Sequence, residues 1–187
     1  MSYNEAACCF DASMYTGVPD AAPCAQSLDT KGIIAGLDKL LFSGDDAAAG
    51  EYLDRWCQKA QEAGDWRTEL TLQSELMGFH RRTSDKAAAM AAVERGLELI
   101  REHRLGSTVS GATIILNAAT TLKAYGMAEQ SIPMFVQACR VYSQTLDPLD
   151  YRFGGLYNNM ALSYASLSAF SISASRPMRS YSSARLQ

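Results

Sequence analysis

The residues of this chain best suited to chemistry are cations set beside amides, not acids set beside bases. Its two histidines, His80 and His103, lie 23 positions apart on different predicted helices. Neither has a Cys, Asp or Glu at the helical spacing that would complete a metal site. The acidic pairs Asp45–Asp46 and Glu69–Glu75 read as helix caps and solvated faces. A general acid–base pair needs a concave apolar setting that perturbs its pKa, and the sequence signals none. No phosphate-binding Gly-rich loop, HExxH or GxSxG occurs. A catalyst is therefore not expected, and neither a cofactor nor a metal is. What remains is Arg81, Arg82 and Lys123 among amide and hydroxyl side chains. Such a set can hold the carboxylates and backbone of a peptide. Arginines near a helix end also simply complement its dipole.

The elements that must position these residues repeat. Ser84, Gly126 and Ser168 stand 42 residues apart, each after an amphipathic stretch that ends in large side chains. A fixed period of this size signals stacked helical hairpins. A first helix starts at Lys31 with Ile33, Ile34, Leu37, Leu40 and Leu41 at helical spacing, and Ser43–Gly44 ends it. Asp45 or Asp46 caps the next, whose face carries Ala49, Leu53, Trp56, Cys57 and Ala60. Further helices begin near Trp66, at Lys86, near Val109, at Ala128 and near Asp150. Pro133 removes a donor one turn into the sixth, which is expected to start late or bend. Turns of a few residues force successive helices antiparallel. The expectation is an all-α stack of about seven helices, each pair completing its core against its neighbours.

Composition agrees with a folded, helical chain. Apolar residues make up 48 % of 187 positions, and beta-branched residues are sparse in the middle. No apolar run approaches the ~18 residues needed to span a bilayer, and Met1–Phe10 makes a poor signal peptide, so no membrane association and a cytoplasmic location are expected. The five cysteines are odd in number and lack CxxC spacing, which favours reduced thiols. All 20 acidic residues lie at or before Asp150, while residues 151–187 hold four Arg. An acidic body argues against nucleic acid as a partner.

On these residues the chain resembles tetratricopeptide repeat proteins. Ala119, Gly126, Phe135 and Ala138 match the family's alternation of small and large positions. So do Leu76, Met77, Ala89, Val93 and Gly96, with His80 where an aromatic is common. Asn159, Met160, Ala161, Leu162 and Tyr164 open a fourth repeat, and Ala49, Leu53 and Trp56 fit the second half of the first. The resemblance covers about residues 31–168, with a period longer than the family's usual ~34. It implies a right-handed superhelical stack of helix pairs whose first helices line a concave, partner-binding face. That face would present Gln73, Ser74, Gly78, Arg81 and Arg82 from the second repeat. Asn117, Thr120 and Lys123 would come from the third, and Asn158 from the fourth. The partner expected is a protein or peptide; the alternatives are a peptide-sensing regulator acting through a separate effector and, least favoured, an enzyme with a cryptic site. Asn117 and Asn159, 42 apart, suit either a bond between repeats or a bond to ligand.

Both ends depart from the pattern. Residues 1–30, with Gly17, Pro19 and Pro23, read as a poorly ordered leader. Residues 168–187 hold seven Ser and no acid, and Ser173 and Pro177 stand where a partner helix needs apolar groups. That stretch reads as a disordered Ser/Arg tail or a frame-altered end. The helix over 150–167 then leaves its face bearing Phe153, Leu156, Met160 and Tyr164 only half covered, and two copies are expected to pair through it.

Overall fold

The computed structural model describes residues 27–174 of the protein, with side chains up to residue 168. The leader before Ser27 and the tail after Ala174 lie outside the described residues. Among those described there are seven helices and no strand. They are α1 (Thr30–Ser43), α2 (Asp46–Glu62), α3 (Trp66–Thr83), α4 (Lys86–Glu102), α5 (Val109–Ala124), α6 (Ala128–Thr145) and α7 (Arg152–Ala174).

The helix starts are written in single side chains. Asp29, Asp45, Asp65, Asp85 and Thr108 each accept a hydrogen bond from the backbone N–H three residues on, at 3.0–3.2 Å. A cap of this kind is worth about 1 kcal/mol. Only Met127, ahead of α6, makes no such bond among the described starts α1–α6. The residue just before three of these aspartates is left-handed: Gly44 (φ 76°), Gly64 (φ 63°) and Ser84 (φ 61°). Arg104 and Gly126 are left-handed too, with φ of 54° and 79°. These five residues reverse the chain at intervals of 20 to 22 positions, one per half-repeat.

Two expected boundaries differ. Ser168 is not a turn: α7 runs through it to Ala174, and its Oγ donates to the Tyr164 carbonyl at 3.1 Å. No left-handed residue interrupts the helix there. Nor does α6 start late. It begins at Ala128 and carries Pro133 inside it, on its exposed side.

Each helix packs on the next in sequence, and α3 and α5 also pack directly on each other. The odd-numbered helices thus form one layer and the even-numbered ones a second. The core runs between the layers through Leu53, Leu70, Met77, Leu99, Ile114, Phe135, Tyr142 and Leu156. Burial of such side chains contributes roughly 1.5–3 kcal/mol each. Gly111 marks a close approach: a methyl there would run into the Leu105 carbonyl oxygen, and Leu105 itself is buried under the α4–α5 loop.

One ion pair crosses the core. The Glu69 carboxylate, almost fully buried, accepts from Arg95 Nε at 2.7 Å and Nη2 at 3.1 Å, and from Gln61 Nε2 at 2.9 Å. This clamps α2, α3 and α4 together. Glu69 is therefore not part of a solvated face, as its sequence context suggested. Glu75 is not either: burial, with help from Asp38 across on α1, raises its carboxyl to about 7, while Arg81 pulls the other way.

Candidate functional site

The odd-numbered layer holds all nine predicted partner-binding residues: Gln73, Ser74, Gly78, Arg81 and Arg82 on α3, Asn117, Thr120 and Lys123 on α5, and Asn158 on α7. They do not form one open surface. Gln73, Ser74 and Asn117 are buried at 6 %, 2 % and 8 % exposure. Their burial has a physical reason. Asn117 Nδ2 donates to Ser74 Oγ at 2.7 Å, so these two join α3 to α5. Gln73 lies against Gly96, where α4 comes close.

The six others stay partly or fully accessible. Arg81 Nη1 donates to Thr121 Oγ1 at 2.7 Å, and Lys123 Nζ donates to Asn159 Oδ1 at 2.6 Å. Arg81 and Lys123 occupy equivalent places 42 residues apart, and each reaches forward to the next odd-numbered helix. Arg82 pairs instead with Asp46 at 2.8 Å, both about half exposed, and lies over the Phe79 ring. An exposed pair of this sort contributes little to stability. Thr120 bonds the Leu116 carbonyl one turn back.

The two repeated asparagines share a role. Asn159 accepts from Lys123 as Asn117 donates to Ser74, so both bond a side chain of the preceding repeat. Residues that sequence reasoning overlooked complete this ladder. Thr30 and Thr68 hydroxyls meet at 2.6 Å between α1 and α3, and Tyr125 Oη donates to the His80 carbonyl at 2.8 Å. The signal available was the recurrence of hydroxyls on odd-numbered helices at offsets near one period.

The histidines are ordinary packing groups. His103 stacks on Trp66 with ring centroids 4.1 Å apart, and burial lowers its pKa. His80 meets the Phe79 ring edge. Among the described residues, no group of three His, Cys, Asp or Glu comes together that could hold a metal ion. Cys57 and Cys139 are free thiols, and burial pushes Cys57 up to about 12. No described helix is long and apolar enough to cross a membrane.

Of the small and large positions quoted for the repeat resemblance, those of the first three helix pairs lie mostly in the core. Ala49, Leu53, Leu76, Met77, Ala89, Val93, Ala119, Phe135 and Ala138 are all buried. Trp56 and Met160 are only partly buried, and Ala161, Leu162 and Tyr164 of the fourth repeat are exposed, whereas Phe153 and Leu156, expected to lack full cover, are buried against the stack. No protein family matches the chain, and neither does any curated protein or any solved structure.

Proposed function

We propose that this is a cytoplasmic helical-repeat protein of the tetratricopeptide type, without catalytic activity, that binds an extended segment of a partner protein on its odd-numbered layer. The observation that carries the reading is the pair of bridges Arg81–Thr121 and Lys123–Asn159, which tie α3 to α5 and α5 to α7, with Thr120 and Asn158 accessible at the adjacent positions. They offer two cations held by neighbouring side chains, with a hydroxyl and an amide close by in sequence. Side chains held by neighbours lose less entropy when a ligand arrives. A peptide with acidic groups at matching intervals suits such a pair. The direct packing of α3 on α5, unmatched between even-numbered helices, supports a layer that curves toward its odd-numbered side.

The test is an unbiased peptide-binding screen on the whole chain, followed by Arg81→Glu and Lys123→Glu. Acidic peptides are expected to be enriched, and either charge reversal is expected to weaken them at least tenfold. Enriched peptides that ignore both substitutions would move the site elsewhere.

A further inference from the structure

The face that α3 turns toward α1 contains one contact that repels. Thr68, Glu75 and Arg82 stand seven residues apart, which places each within about 20° of the next around the helix. Both ends of this stripe are joined to the first hairpin. The Thr68 hydroxyl meets that of Thr30 on α1 at 2.6 Å, and Arg82 pairs at 2.8 Å with Asp46, just past the α1–α2 turn. Glu75 lies between these joints and so faces the middle of α1, where Asp38 acts on it. A carboxyl group thus meets a carboxylate at the centre of the stripe.

The surrounding charges do not resolve this conflict. Arg81 opposes Asp38 but acts more weakly on Glu75, and its Nη1 donates to Thr121 of α5. Asp46 of α2 is held by Arg82. Lys39, next to Asp38, lines the groove between α1 and α2 with Glu51 and Arg55. Lys123, the one charged residue of α5, reaches forward to Asn159 of α7. α4 meets α3 on another side, at Gln73, about 200° from Glu75.

α1 is also lightly held. Only Ile33 and Leu37 in it are buried, fewer than in any of α2–α6. Among the described residues, its hydrogen bonds to other elements come at its start. The Leu28 N–H donates to Asp65, Thr30 meets Thr68, and the Ile33 carbonyl accepts from Tyr52 Oη. Beyond Ile33, apolar packing alone holds the helix down, and segments with so little burial open locally before the rest of a fold.

We propose that α1 is a pH-sensitive flap on the odd-numbered layer, lying against α3 while Glu75 is protonated and lifting from it when Glu75 is charged. Lifting hydrates Glu75 and carries Asp38 away, and burial and Asp38 are the two causes that raise its carboxyl from 4.5 to about 7. The closed form keeps its full advantage below about pH 4.5 and loses it as pH rises through about 7. The gap between these values limits the growth of the open population to about 300-fold. The flap does not rest on the binding role proposed for this layer.

The experiment is native-state hydrogen exchange on the full chain from pH 5 to pH 8, a range that brackets the raised carboxyl, with each rate corrected for its intrinsic pH dependence. Amides of residues 37–41 report on α1, and those of residues 114–118 on α5. Protection of α1 is expected to fall at least about tenfold further than that of α5 across this range. Equal falls, which global unfolding alone would give, overturn the proposal. Glu75→Gln is expected to keep α1 protection level. Asp38→Asn, at an exposed position, is expected to keep the fall but to move its midpoint to lower pH, because one of the two causes is gone. A Glu75→Gln protein whose α1 protection still falls, or an Asp38→Asn protein with an unmoved midpoint, overturns it as well.

Discussion

Ser74 and Asn117 stand 43 residues apart in sequence and 2.7 Å apart in the fold, both inside the layer of odd-numbered helices. Their bond fixes the rotation of α5 against α3, because a buried amide that lost its acceptor would pay most of its desolvation cost. Asn117→Ala and Ser74→Ala are each expected to lower stability by about 1–2 kcal/mol. The double variant should lose less than the two singles combined. Chemical denaturation of all four proteins checks this; strict additivity would mean that the two side chains do not interact.

The Glu69–Arg95 pair predicts an asymmetry. Glu69 is almost fully buried, while the Arg95 side chain is a third exposed and also touches Glu98 and Glu102. Removing the cation leaves a buried, unpaired carboxylate. Arg95→Met is therefore expected to cost about 3 kcal/mol at neutral pH, and Glu69→Gln, which keeps a hydrogen-bonding group, clearly less. Melting curves at neutral pH should rank the variants in that order.

Much of the fold was legible because it is written locally. Gly44–Asp45, Gly64–Asp65 and Ser84–Asp85 each join a left-handed residue to a capping aspartate, and both signals need only adjacent positions. The small and large positions of the core were legible for a similar reason, since a helix of fixed pitch repeats them. Ser168 misled because a serine resembling its counterpart at 84 lacks what made that position a turn. Asp85 follows Ser84, whereas Ala169 follows Ser168. The candidate site was less legible. Whether Asn117 faces ligand or neighbour depends on how α5 is rotated against α3, and no local pattern encodes that. α5 has small or apolar groups on every side, so its periodicity is weak. Glu69 looked solvated because its partner lies 26 residues on, in another helix.

Glu75 predicts a pH dependence of stability. Burial first, then Asp38, raises its carboxyl to about 7 from 4.5 in the unfolded chain, against the opposing pull of Arg81. A raised carboxyl pKa means that the folded state holds its proton more tightly. The contribution is fully present below about pH 4.5 and is lost as pH rises through about 7. Between these values stability should fall with rising pH, and Glu75→Gln should flatten that slope. Denaturation midpoints of both proteins at pH 5, 6 and 7, each bracketed by that window, provide the comparison.

Gly111 is expected to be intolerant of any side chain. The obstruction is the Leu105 backbone carbonyl, which cannot swing aside as a flexible side chain would. Leu105 is itself held by a bond from its N–H to the Ile100 carbonyl at 2.9 Å, and its carbonyl accepts from Thr108. Gly111→Ala should thus cost about 1–3 kcal/mol, despite the better helix propensity of alanine. By contrast, Gly154→Ala in α7 meets no atom within 4 Å and should be neutral or slightly stabilising. Thermal unfolding of the two variants separates packing from propensity.

The open side of α7 predicts self-association. Tyr157, Leu162 and Tyr164 are exposed at 53 %, 49 % and 46 %, and Tyr151 and Leu149 extend the apolar surface at 62 % and 93 %. The only charged residue of α7 is Arg152, whose guanidinium is held by Asp150 at 2.7 Å. Two copies of this helix would meet without charge repulsion, each covering apolar area that the other leaves wet. Light scattering on the full chain is expected to show a mass that rises from monomer toward dimer with concentration. Leu162→Glu with Tyr164→Glu places like charges opposite each other across such a contact and should return the protein to a monomer with little change in melting temperature, since neither side chain belongs to the core. A strict monomer of the unsubstituted chain at high concentration would remove the dimer from consideration.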